Sequence, residues 1–209
     1  MTNKQLLLFL LIFLPLLLSG TLSGQSWTFI KEKDGVKLYS RQEAGKNLKI
    51  VKGVAEINET SEKVFALIED VNHTEWWDKN LTQIKVLLYK KNKQAQYYLV
   101  YKMPWPFKDR DLSVNVSVTL NPVTGEYKII AVPLTGVTPE NKDRVRIKDY
   151  RQVWTVKPAG NNRTYIELQF YVEPTEILPN WLLNMILIDS PINSIKTVKQ
   201  IMENNHVKR

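Results

Sequence analysis

The sequence predicts an α+β domain built on one dominant antiparallel sheet, with a short helix inserted early and a long helix closing the chain. Three observations predict it. Leu112 to Leu120 alternates strictly, Val114, Val116 and Val118 against Ser113, Asn115, Ser117 and Thr119, as a sheet with one apolar and one polar face requires. Val64, Phe65, Leu67, Ile68 and Val71 recur at helical spacing instead. From Asn180 the chain runs through Trp181, Leu182, Leu183, Met185, Ile186, Leu187 and Ile188 before its first acidic residue, Asp189. That helix is apolar nearly all round, so it needs contact on two sides rather than one.

The elements follow in order. Trp27 to Ile30 leads into the turn signal Asp34-Gly35, after which Val36 to Arg41 alternates; Leu48 to Ile57 reads as the next strand. Thr60 is placed to cap the short helix. Period two returns at Leu81, passes a polar turn from Lys90 to Gln94, and resumes from Tyr97 to Tyr101. Asn121-Pro122-Val123-Thr124-Gly125 is turn chemistry. Further strands run over Tyr127–Val132, Arg144–Val156 and Thr164–Val172. Pro179 stands near the start of the closing helix, and Pro191 inside it removes a backbone donor and so kinks or restarts it.

Composition fixes the class. Of the 209 residues 44% are hydrophobic and 24% charged, which excludes a disordered or multi-span chain and suffices for one core. Lys4, the apolar run Leu6 to Leu18 and the small residues Ser19 to Gly24 have the order of a secretory signal peptide. The run is shorter than the ~20 residues of a spanning helix, and Pro15 interrupts it. Residues 1–24 are therefore assigned to a signal and 25–209 to one secreted or periplasmic domain. Thr21 occupies the place where a lipobox needs its cysteine, so the chain is not a lipoprotein. With no cysteine anywhere there are no disulfides, no thiolate nucleophile and no Cys-based metal site. Five Asn-x-Ser/Thr sequons, at Asn58, Asn72, Asn80, Asn115 and Asn162, are read as chance. The formal charge of +8 comes from scattered lysines and arginines, which argues against nucleic acid.

Three segments carry a family resemblance: Glu75-Trp76-Trp77-Asp78 after the first helix, Lys102-Met103-Pro104-Trp105-Pro106-Phe107-Lys108-Asp109-Arg110-Asp111-Leu112, and Glu173-Pro174 through Leu178-Pro179-Asn180-Trp181-Leu182-Leu183-Asn184. In this order, over Trp27 to Met202, they resemble the START (steroidogenic acute regulatory protein-related lipid transfer) family. The first looks like that family's short helix ending in an acidic-Trp-Asp run, the second like its proline-rich bend into a central strand, the third like its hinge into the closing helix. This chain departs from the pattern with Glu173-Pro174 for Asp-Pro, Leu112 for an aromatic, and Thr175-Glu176 where the hinge usually carries glycine, which implies a stiffer hinge.

The resemblance implies a helix-grip fold: a curved antiparallel sheet wrapped around the long C-terminal helix, enclosing a cavity for one lipid and performing no chemistry. On that reading the ligand-binding residues are Trp77, Tyr98, Trp105, Val114, Val116, Tyr150, Gln152, Trp154, Tyr165, Trp181, Met185 and Ile188. Arg110 and Asp111 are structural; adjacent on a strand, they point to opposite faces and do not bridge each other. The segment Val132-Pro133-Leu134-Thr135-Gly136-Val137-Thr138-Pro139 is more apolar than an ordinary loop, so Val132, Pro133, Leu134 and Val137 are expected to form a lid. No metal or cofactor is implied. The partners expected are a lipid or other hydrophobic small molecule and, transiently, a membrane surface, with the protein a monomer.

Two other readings stand beside this one. Polyketide cyclases share the helix-grip shape, and Glu167 between Tyr165 and Gln169 is where such an enzyme site acting on a small hydrophobic substrate would lie. The third reading is a secreted domain with a collapsed cavity that binds a protein. No nucleophile elbow, zinc-protease motif, P-loop or dinucleotide fingerprint is present, and His73 and His206 are the only histidines.

Overall fold

Asp34 and Gly35, at φ of 54° and 74°, turn β1 (Thr28–Lys33) back into β2 (Val36–Arg41). The computed structural model describes residues 26–207; the predicted signal, residues 1–24, lies outside them. After β3 (Ile50–Ile57) comes α1 (Ser61–Glu69), which buries Val64, Phe65, Leu67 and Ile68 of the face its spacing predicts; Val71, expected on the same face, falls in the turn beyond its end. Thr60 sits at the cap position but lends no side-chain hydrogen bond; its carbonyl accepts from Val64 N at 3.1 Å. Glu75-Trp76-Trp77-Asp78, compared above to a short helix, lies in turns instead, with Trp77 N donating to the Thr74 carbonyl at 3.0 Å.

Six further strands and a bridge complete the sheet. They are β4 (Leu81–Lys90), β5 (Gln94–Tyr101), β6 (Arg110–Asn121), β7 (Glu126–Pro133), β8 (Val145–Arg146), β9 (Asp149–Pro158) and β10 (Thr164–Glu173). The order is β1-β2-β3-β10-β9-β7-β6-β5-β4, antiparallel throughout, while β8 runs parallel beside the start of β6. The single strand expected over 144–156 is thus two, β8 and β9. Arg146 on the first is committed to Asp111, and the chain must step before pairing with β7.

The closing helix has three parts: α2 (Asn180–Asn184), a π-helical turn (Met185–Asp189) and α3 (Ser190–Val207). Ser190 N donates to the Met185 carbonyl, five residues back, immediately before Pro191. A wider turn there accommodates the proline ring and its missing donor without ending the helix. α3 lies across the sheet with Ile192, Ile195 and Val198 fully buried. The approach to β3 is close: a Cβ on Gly53 would stand 2.7 Å from Ile195 Cδ1. Glycine at that position sets how tightly the helix is gripped.

Candidate functional site

Period two on four strands builds one apolar wall. β6 presents Val114, Val116 and Val118 inward, β9 presents Tyr150, Gln152 and Trp154, and β10 presents Leu168, Phe170 and Val172. β5 adds Tyr97, Leu99 and Tyr101, and Leu183, Met185, Ile186 and Leu187 of the closing helix form the opposite wall. Between them is a cavity of about 160 Å³. Towards one end the lining passes to Lys102, Met103, Arg110, Pro174 and Leu178; towards the other it reaches Val118, Ile129 and Trp154, with Trp76 against Trp154.

Few polar groups interrupt this surface. Ser190 Oγ donates to the Asp78 carboxylate, joining the π-helical turn to the turn after α1. Tyr150 donates to Gln152 Oε1 at 2.8 Å. Burial holds the Tyr101 hydroxyl far above its ordinary range, and the Asp78 charge adds to this; Tyr150 is raised by burial, by Tyr101 and by Asp78. Tyr97 is pushed up to about 12 by burial, with Glu69 and Asp70 contributing. All three phenols are therefore neutral donors and acceptors at physiological pH.

The end at Met103 is bounded by the 102–109 loop and the 174–179 hinge. Met103, Leu178 and Leu182 pack together there, with Phe107 and Leu183 against them. Arg110 is 5% exposed; its guanidinium donates to the Lys108 carbonyl and to the carboxylate of Glu176, which ties the loop to the hinge. On the outside of the same structure Trp105 is 91% exposed, Ile177 99% and Trp181 54%, with Trp181 edge-on to Phe107 at 6.5 Å.

Comparison with known proteins fits this architecture. The sequence matches the START domain family over residues 15–208. The chain belongs to that family. An uncharacterized protein of Pseudomonas aeruginosa is 28% identical to this START domain over 88% of the chain and 91% of its own length. The phosphatidylcholine transfer protein of Mus musculus is 22% identical, over 90% of the chain and 88% of its own length. Among solved structures, the STAR-related lipid transfer protein of Xanthomonas axonopodis superposes with a TM-score of 0.73 at 21% identity, covering 85% of the chain and 98% of its own. The curved ten-stranded sheet closed by a C-terminal helix is thus the START helix-grip fold.

Within this START domain the side chains expected to bind ligand divide into two groups. Trp77, Val114, Val116, Tyr150, Gln152, Trp154 and Met185 line the cavity. Tyr98 does not: its neighbours Tyr97 and Leu99 take the inner face, and its hydroxyl lies outside between Asp111 (2.8 Å) and Arg144 (2.8 Å). Tyr165 is likewise on the outer face, donating to Glu167 at 2.8 Å. Trp105 and Trp181 project to solvent, and Ile188 packs into the core beside the cavity rather than lining it. Glu167 shares the outer face with Tyr165 and Gln169, and Lys52 stands 3.8 Å away, so the enzyme site placed there is turned away from the cavity.

The expected lid is also displaced. Val132 and Pro133 end β7, and none of Val132, Pro133, Leu134 or Val137 lines the cavity. Ser113 and Thr138 share a hydroxyl hydrogen bond of 2.8 Å, and Arg146 donates to the carbonyls of Thr138 (3.3 Å) and Pro139 (3.0 Å), so this loop is held on the outer face of β6. Arg110 and Asp111 do face opposite ways. Arg110 turns inward, while Asp111 outside accepts from Arg146 at 2.8 Å. Sequence reasoning missed Tyr97 and Tyr101, which the alternation from Tyr97 already placed on one face. It also missed Asp78 and Ser190, 112 positions apart, whose meeting no local pattern signals.

Proposed function

We propose that this START domain carries one lipid in its cavity and exchanges it at a membrane surface through the end bounded by the 102–109 loop and the hinge. The observation that carries the reading is the apolar space between a curved sheet and its closing helix, ending beneath the exposed Trp105, Ile177 and Trp181. Exposed aromatic and aliphatic groups clustered beside a cavity end suit insertion into the boundary of a bilayer. The mammalian relative's name, phosphatidylcholine transfer protein, supports lipid as the ligand class. The cavity side chains hold the lipid without reacting with it: no histidine stands in the lining, and the tyrosines there are held neutral. The protein acts as a monomer outside the cytoplasm, exported by the signal-like segment at residues 1–24.

Native mass spectrometry of the mature protein from a bacterial host, followed by organic extraction, tests this. One discrete lipid per chain is expected. A mass that stays ligand-free after incubation with phospholipid vesicles, sterols and fatty acids overturns it. N-terminal sequencing of the exported protein checks the cleavage near Ser23 or Gly24.

A further inference from the structure

The pole of the sheet opposite the 102–109 loop carries a tip that is both basic and apolar. β6 starts beside that loop at Arg110 and ends at Asn121, which sets the two poles roughly 35 Å apart. Two hairpin turns meet there. In the β4–β5 turn Asn92 adopts a φ of 57° and Lys93 N donates to the Lys90 carbonyl at 3.0 Å, so exposed Lys90, Lys91 and Lys93 share one tight turn. Val118 N donates to the Lys93 carbonyl at 2.9 Å, which fixes this turn against β6. Two residues further along β6 stands Leu120, 51% exposed, and Val123 in the turn beyond it is 90% exposed.

The charge at this tip is unbalanced. None of the three lysines has an ion-pair partner among the described residues. Of the nearby carboxylates, Glu69 accepts from the Tyr89 hydroxyl and from Asn92 N, each at 2.7 Å, and so holds the turn to α1; Glu126 faces Lys128 at 4.0 Å. Three positive charges beside two exposed aliphatic side chains call for a partner that is anionic and apolar at once. A specific protein partner covers about 800 Å² on each side, and a protruding pair of turns offers no groove in which Leu120 and Val123 could be matched. An anionic bilayer supplies both halves: its boundary takes up exposed aliphatic groups, and its phosphates attract lysines whose stems lie along the surface.

We propose that this pole is a second membrane contact, selective for anionic phospholipid surfaces, so that one molecule touches two membranes, one at the Trp105 end and one at the Lys90–Val123 tip. The bridging rests on the loop-end contact proposed above; the tip contact stands without it. The cavity lining runs on to Tyr89, Gln94 and Val118 just inside the tip, so the apolar space extends from one contact towards the other.

The test uses the intact mature protein with vesicles of phosphatidylcholine alone and of equal parts phosphatidylcholine and phosphatidylglycerol. Lys91→Gln with Lys93→Gln should weaken binding to the mixed vesicles about 25-fold, roughly fivefold per lysine, and leave binding to phosphatidylcholine unchanged. With Trp105→Ser and Ile177→Ser in place, the binding that remains should require phosphatidylglycerol and fall steeply with added salt. The parent protein should cluster mixed vesicles, seen by light scattering, and either pair of substitutions should suppress the clustering. Equal binding of mixed vesicles by the parent and the lysine variant, or a parent that leaves those vesicles dispersed, overturns the proposal. Capture of the parent by polyglutamate without binding to mixed vesicles overturns it too and assigns the tip to an acidic protein. A protein that meets every expectation here yet carries no lipid in native mass spectrometry keeps the second contact and overturns the carrier reading alone.

Discussion

Replacing Glu176 by glutamine should speed lipid exchange, because it removes the charge that holds the hinge to the loop. Arg110 is buried and Glu176 about half-exposed, so the pair lies between two regimes. Breaking a fully buried pair costs about 3–5 kcal/mol, whereas an exposed pair contributes ~0–1 kcal/mol. Glutamine keeps an acceptor oxygen, and Arg110 keeps its bond to the Lys108 carbonyl, which brings the loss to roughly 1–2 kcal/mol. If that interaction is present in the closed form and absent in the open one, the open population rises about 5–30-fold. The assay is transfer of a self-quenched fluorescent phospholipid from donor to acceptor vesicles, followed at low and high salt. Glu176→Gln should transfer about 5–30-fold faster at low salt, and added salt should accelerate the parent protein more than the variant. A variant that transfers at the parental rate, with an unchanged denaturant midpoint, would refute the latch.

Three further outcomes follow from the geometry. Trp105→Ser combined with Ile177→Ser should weaken binding to phospholipid vesicles by about tenfold or more, since burying one large apolar side chain is worth roughly 1.5–3 kcal/mol; cavity loading, read by native mass spectrometry, should persist. Val116→Trp places an indole in a cavity of about 160 Å³ and should abolish uptake, at a stability cost of about 1–3 kcal/mol measured in urea. Burial alone would raise the Asp111 carboxyl, but its hydrogen bonds from Arg146 and Tyr98 outweigh that and hold it below the usual carboxylate range. The folded state therefore binds fewer protons at Asp111 than the unfolded state. Its contribution is complete above the ordinary aspartate value of about 3.9 and is lost as pH falls through the lower folded value. Asp111→Asn should cost roughly 3 kcal/mol at pH 7 and flatten the acid side of the stability profile, both read from urea midpoints.

The fold was legible because its signals are local. The valines of β6 and the helical spacing of α1 each declare a face without reference to the rest of the chain. The cavity was legible by half for the same reason: Val114, Val116, Tyr150, Gln152 and Trp154 follow from strand parity once the apolar face is known. Tyr98 and Tyr165 fall outside the cavity because strand parity, not residue type, decides the face. Trp105 and Trp181 fall outside it although aromatic rings are usually buried. Here they stand on a loop and on the outer side of a short helix, where no strand period applies. The apolar 132–139 loop misled in another way. Its partner is Arg146, whose guanidinium captures two backbone carbonyls, an interaction invisible in apolar composition.

The sheet order has a consequence for how the molecule is made. β3 pairs with β10, and Arg163, just before β10, reaches back to Glu56, 107 positions earlier. The hairpin of β1 and β2 and the strand beside it can therefore join the rest only after almost the whole chain has been synthesised. Until then Val36, Leu38 and Val51, all fully or nearly fully buried at the end, have no wall to cover them. Such long-range closure makes folding slow, and the incomplete chain exposes apolar strands to aggregation. A nascent chain of this topology spends its vulnerable interval before Thr164–Glu173 emerges, so a holding chaperone should matter most for truncations ending short of that strand.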